Sequence, residues 1–103
     1  MNVNIDTSTF KPENTGLKFR VYVYAISNAV PRHKPRVKVI DSKGQFSMYI
    51  SENPLVSSGN PDFFESEHIE ELKEWIILNK QVLLDYWYDN IDSAELAYKL
   101  QRI

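Results

Sequence analysis

At 103 residues the chain has room for one core of ordinary size, and with 43% apolar and 25% charged residues its composition is that of a folded globular domain. A net charge of −2 gives no overall pull toward nucleic acid or an anionic membrane, and the absence of cysteine excludes disulfides, thiolate metal sites and a thiol nucleophile. No apolar run approaches the roughly 18 residues of a membrane span, and residues 1–6 lack the basic start and apolar stretch of a signal peptide, so the expectation is one cytosolic domain over residues 1–103.

In chain order, residues 2–6 alternate through Val3 and Ile5 and predict a short edge strand. Residues 17–25 alternate strictly, with Phe19, Val21 and Val23 on one face and Lys18, Arg20, Tyr22 and Tyr24 on the other. Residues 35–40 repeat the pattern, Val37 and Val39 opposing Arg36 and Lys38. Asp41-Ser42-Lys43-Gly44 is short, polar and ends in glycine, as a hairpin turn should. A third run, residues 45–50, sets Phe46, Met48 and Ile50 against Gln45, Ser47 and Tyr49. Residues 51–61 are rich in Ser, Asn, Pro and Gly and predict a loop.

The rest is helical in pattern. Asp62 or Ser66 can cap the start, and Asp62 to Glu65 has capping-box spacing. Ile69, Leu72, Ile76, Leu83 and Trp87 fall on one face, which Trp75, Leu78, Val82 and Tyr86 widen. Asp89-Asn90 ends this helix, and Asp92 or Ser93 caps a short last one bearing Leu96 and Leu100. The expected architecture is α+β: a small antiparallel sheet of three to four strands packed on one long C-terminal helix, plus the short last helix. Residues 1–50 are mainly β with a net charge of +5, residues 51–61 are the loop, and residues 62–103 are mainly α; everything from residue 51 on nets −7.

The run Phe19-Arg20-Val21-Tyr22-Val23-Tyr24, then Pro35-Arg36-Val37-Lys38-Val39, then Gln45-Phe46-Ser47-Met48-Tyr49-Ile50, leads into a helix with Leu72, Trp75, Asn79, Leu83, Leu84 and Trp87. Over residues 17–89 this order resembles the small bacterial proteins of the domain-of-unknown-function family numbered 4160, which run strand, a Pro-Pro-His-x-His-type segment, strand, and a helix with spaced Asn, Leu and Trp. The resemblance implies a fold and a toxin–antitoxin-like genetic setting, with no reaction attached. Where that family has paired histidines, this chain has Arg36 and Lys38. Chemistry needing two imidazoles is therefore lost there or replaced by cation binding.

The strongest local feature is Arg32-His33-Lys34-Pro35-Arg36-Val37-Lys38, with cations at every second position and so on one side of an extended chain. Lys18 and Arg20 extend the patch, and Tyr22, Tyr24 and Tyr49 share its face. Cations neutralise phosphates and rings stack on unpaired bases, which suits RNA or single-stranded DNA. Two other readings stay open: a face kept soluble by its charge, and complementarity to an acidic partner protein. His33 is the one candidate general base, in a metal-independent ribonuclease with Arg36 and Lys38 holding the phosphate; no second matched group stands out.

Two acidic features have plainer readings. The acids Asp62, Glu65, Glu67, Glu70, Glu71 and Glu74 suit the start and solvent face of a helix. Glu65-x-x-His68 is a single copy of a spacing that carboxylate-bridged metal sites use twice, so no metal is expected. There is no clustered glycine loop for a phosphate, and no cofactor is expected. The breadth of the apolar helix face predicts a homo-oligomer through the helical layer, or a purely structural interaction protein, with Trp75, Val82 and Tyr86 at the contact.

Overall fold

A computed structural model of the chain describes residues 5–26 and 34–103. The described residues form an α+β architecture: a five-stranded antiparallel meander with helices on one face. The strands are β1 (Ile5–Phe10), β2 (Val21–Ile26), β3 (Arg36–Asp41), β4 (Gly44–Tyr49) and β5 (Val56–Gly59), hydrogen-bonded in chain order. Between β1 and β2 lies a one-turn helix, α1 (Pro12–Thr15), closed by Gly16 in the left-handed region. After β5 come a 3-10 turn (Pro61–Phe63) and the helices α2 (Ser66–Leu78), α3 (Lys80–Trp87) and α4 (Ser93–Lys99). No helix among the described residues is long and apolar enough to cross a membrane.

The alternating runs form the sheet because their apolar residues share one face. Val21, Val23, Val37, Val39, Phe46 and Met48 are buried there against Leu72, Trp75, Ile76, Leu83, Tyr86 and Leu96 of the helices. Phe19, Phe46 and Phe64 close one end, with ring centroids 5.1–6.3 Å apart and all three pairs edge-to-face. Ser8 Oγ donates to the Tyr86 hydroxyl at 2.9 Å and ties β1 to α3.

The elements differ from expectation in five places. Of the edge strand expected over residues 2–6, residues 2–4 lie outside the described residues, and the strand found there, β1, runs on from Ile5 to Phe10. The strand expected over residues 17–25 begins at Val21; residues 17–20 are irregular, although their burial still alternates, Leu17 and Phe19 in and Lys18 and Arg20 out. The expected loop contains a strand, so the sheet has five strands and not three to four. β5 forms despite its Ser-Gly composition, with a register shift opposite Ser47 and Met48. It ends at Gly59, whose φ of +82° and contact with the Gln45 carbonyl leave no room for a side chain. The helix does not start at Asp62, which belongs to the 3-10 turn, but at Ser66.

Finally, the single long helix is two, broken at Asn79 (φ −105°, ψ 13°). Asn79 is 2% exposed. Its Nδ2 donates to the carbonyls of Trp75 and Gln101, both at 3.0 Å, and its Oδ1 accepts the Gln101 N–H at 2.8 Å. The side-chain amide thus pairs with the Gln101 backbone as one strand pairs with another. Residues 100–103 run on to α1, where Ile103 N–H donates to the Thr15 carbonyl at 3.0 Å.

Candidate functional site

Because side chains alternate along a strand and opposed residues share a face, burying the valines sends every intervening residue to the side of the sheet away from the helices. The register arranges these residues in cross-strand rows. One row reads Thr9, Tyr22, Lys38, Ser47, Ser58 across all five strands. Beside it, Thr7 opposes Tyr24, and Arg36 opposes Tyr49. The register continues from Val23 opposite Val37, so Tyr24 and Arg36 are neighbours and the second row reads Thr7, Tyr24, Arg36, Tyr49. Across the strands tyrosines therefore stand next to cations, while along β2 the two tyrosines, and along β3 the two cations, stand in line. At the middle Ser47 is only 4% exposed, a small residue shaded by the larger ones around it.

The cations are differently engaged. Lys34 Nζ lies 5.9 Å from the centroid of the Tyr49 ring. The Arg36 guanidinium lies 5.9 Å from the Trp87 ring, so this cation leans to the helical layer. Among the described residues Lys18, Arg20 and Lys38 have no carboxylate within ion-pair distance. The Tyr24 phenol is held above its ordinary pKa, first by burial and then by Tyr22 beside it, with Arg36 pulling the other way. It stays a neutral donor at physiological pH. Most of the acids lie on the other layer: Glu65, Glu67, Glu70 and Glu74 are all exposed around α2, whereas Asp41 ends β3. The charge asymmetry of the sequence thus becomes a basic sheet backed by an acidic helical layer.

At the α1 end of the face is a shallow groove of about 560 Å³. Arg20, Tyr22, Ile40, Asp41 and Ser42 line it, and Phe19 borders it with its ring packed into the core. Asp41 Oδ1 accepts the Lys43 N–H at 3.2 Å and the Ser42 hydroxyl at 3.1 Å. These bonds, the backbone one first, hold the carboxyl below its usual pKa. Sequence reasoning missed Ile40, Asp41 and Ser42 as site residues, because the turn pattern already accounted for Asp41 and Ser42.

Of the candidate ligand residues, the structure brings Tyr22, Tyr24, Arg36, Lys38 and Tyr49 onto one surface, with Lys34 beside Tyr49 and Arg20 at the groove. Lys18 is exposed in the bend before β2, outside the strand expected to hold it. Arg32 and the candidate base His33 lie outside the described residues. Of the residues expected at a helical contact, Trp75 is 0% and Tyr86 1% exposed, both filling the space between α2, α3 and the sheet, while Val82 is half-buried. The apolar side chains left exposed on the helices are Ile77, Leu78, Tyr88 and Tyr98.

At the start of α2, His68 Nε2 lies 3.6 Å from Glu65 and 3.7 Å from Glu67, the one group of three potential metal ligands among the described residues. Both carboxylates are largely exposed, and a cation there faces the positive end of the α2 dipole.

No family model matches the chain, and no curated protein or solved structure matches it either. The likeness to the family numbered 4160 therefore stands on the sequence pattern alone.

Proposed function

We propose that this chain is a binding module for single-stranded nucleic acid, which it takes across the open face of its sheet. The observation that carries this reading is the adjacency of Tyr22, Tyr24 and Tyr49 to Lys38 and Lys34 on the side of the sheet opposite the helices, with Arg36 set toward the helical layer. Rings on a sheet offer stacking platforms to unpaired bases, and cations between them neutralise the phosphates that follow at similar spacing. An acidic partner protein would use the cations but has no comparable use for three rings. A duplex would present its bases already stacked.

The test is binding of fluorescein-labelled single-stranded RNA and DNA at several salt concentrations, followed by anisotropy. The wild type should bind single strands more tightly than duplex. Lys34→Ala with Lys38→Ala should flatten the log–log salt dependence by about 1.4 units, two phosphate contacts at ~0.7 each for a single strand. Tyr22→Ala should weaken binding with the salt slope unchanged, since stacking releases no counterions; about 1–3 kcal/mol is the scale of such a loss. Absence of binding at low salt removes the nucleic-acid reading and returns the face to an acidic protein partner.

A further inference from the structure

The groove beside Arg20 and Tyr22 differs from the rest of the face in one respect. Elsewhere the polar side chains of the two rows are cations, hydroxyls and phenols. Here a carboxylate, Asp41, joins them. A carboxylate repels phosphate, so whatever part of a strand sits there must present donors to it. Asp41 Oδ1 is taken up by Lys43 N–H and Ser42 Oγ, and the Ser42 backbone also bonds the carboxylate, so the acceptor capacity left for a ligand is chiefly that of Oδ2. The group is ionised at neutral pH like any ordinary aspartate, and these bonds lower its pKa further.

Among the four bases only guanine carries two adjacent donors, N1–H and the N2 amino group, on its Watson–Crick edge. Adenine and cytosine each pair one amino donor with an acceptor, and uracil sets one N–H between two carbonyls. Guanine also carries O6 and N7, the acceptors an arginine fork fits best. Ile40 and Tyr22 supply the exposed apolar and aromatic surface for the ring, and Arg20 has no carboxylate within ion-pair distance among the described residues. The geometry points to this groove as a guanine-selective subsite at one end of the strand-binding face, with Asp41 accepting from N1–H and N2–H and Arg20 donating to O6 or N7. This inference rests on the nucleic-acid reading of the sheet face and adds a base preference to it.

The experiment compares three labelled RNA octamers at low salt: all uridine, uridine with one central guanosine, and uridine with one central inosine, which keeps N1–H, O6 and N7 but lacks the N2 donor. The guanosine octamer should bind about fivefold or more tightly than the uridine octamer, with inosine between them. Asp41→Asn keeps an oxygen to accept the Lys43 N–H, so the turn should survive, as an unchanged circular dichroism spectrum would verify. It turns donors toward donors and should abolish the guanosine preference while leaving affinity for the uridine octamer within about twofold. Arg20→Gln, at an exposed position, is the second variant and should reduce the preference for guanosine and inosine alike. Equal wild-type binding of all three octamers overturns the subsite and leaves the face reading standing. Binding of none overturns both. A guanosine preference that persists in folded Asp41→Asn overturns the assignment to Asp41.

Discussion

Replacing Asn79 by alanine should loosen the helical layer by about 2 kcal/mol. Its side chain makes three hydrogen bonds, but the Trp75 carbonyl also accepts from the Asn79 backbone N–H at 3.0 Å, so that acceptor is not orphaned. The real loss is the pair with the Gln101 backbone, at 2.8 and 3.0 Å. At a net ~0.5–1.5 kcal/mol per bond the pair is worth about 2 kcal/mol, and the better helix propensity of alanine offsets less than about 0.7. For a domain of this size that corresponds to a Tm lower by roughly 8–16 °C. Urea unfolding at 25 °C, with m of about 1–3 kcal/mol/M, should show a midpoint lower by roughly 1 M. Asn79→Asp is the sharper control. It keeps the acceptor for Gln101 N–H but aims a buried negative charge at two carbonyl oxygens, so it should be less stable than the alanine variant at pH 7. The folded pKa of such an aspartate lies above its unfolded ~3.9, so its deficit should shrink as pH falls toward 4 and grow as pH rises through the folded pKa. An alanine midpoint within ~0.3 M of wild type, or an aspartate variant more stable than alanine at pH 7, would refute the clamp.

Two further outcomes follow from local geometry. Gly59→Ala should cost about 1–3 kcal/mol, because φ is +82° and the new Cβ would sit on the Gln45 carbonyl oxygen; hydrogen exchange should report early opening at Asn60 N–H, which donates to that carbonyl. Tyrosinate absorbance should show a step above the ordinary tyrosine range that is lost in Tyr24→Phe and comes later still in Arg36→Ala, since burial raises that pKa and Arg36 lowers it. The raised folded pKa means that its share of stability is intact below pH 10 and is lost as pH climbs further. A titration curve that Tyr24→Phe leaves unchanged above the ordinary tyrosine range would contradict the face geometry.

What the sequence made legible was whatever followed a period. The alternation of Val21 and Val23, Val37 and Val39, and Phe46 and Met48 identified the sheet and which side of it faces the helices, and hence the Tyr22, Lys38 and Tyr49 surface. The Asp92 cap of α4 was visible too, and its side chain accepts Glu95 N–H at 2.8 Å. What stayed hidden depends on partners distant in the chain. β5 has no apolar alternation and exists because β4 offers it an edge. The helix break at Asn79 sits within an unbroken apolar period, and its cause lies 22 residues away at Gln101. Trp75 and Tyr86 looked too many for one sheet to cover. Tyr86 is covered because β1 extends the sheet and offers it Ser8. The groove was illegible because Arg20 and the Ile40–Asp41 end of β3 come from separate segments that only the strand register brings together.

The segregation of cations to the sheet and acids to the helices also acts before any contact is made. Such a molecule carries a permanent dipole across its two layers, and near a polyanion it rotates so that its sheet leads and its helices trail. The approach is then oriented while the partners are still about a Debye length apart, near 10 Å at 0.1 M salt. For the proposed nucleic-acid ligand, added salt should accordingly slow association more than it hastens dissociation, and charge reversal at Glu67 or Glu74, on the helical layer, should change the on-rate while leaving the off-rate nearly untouched.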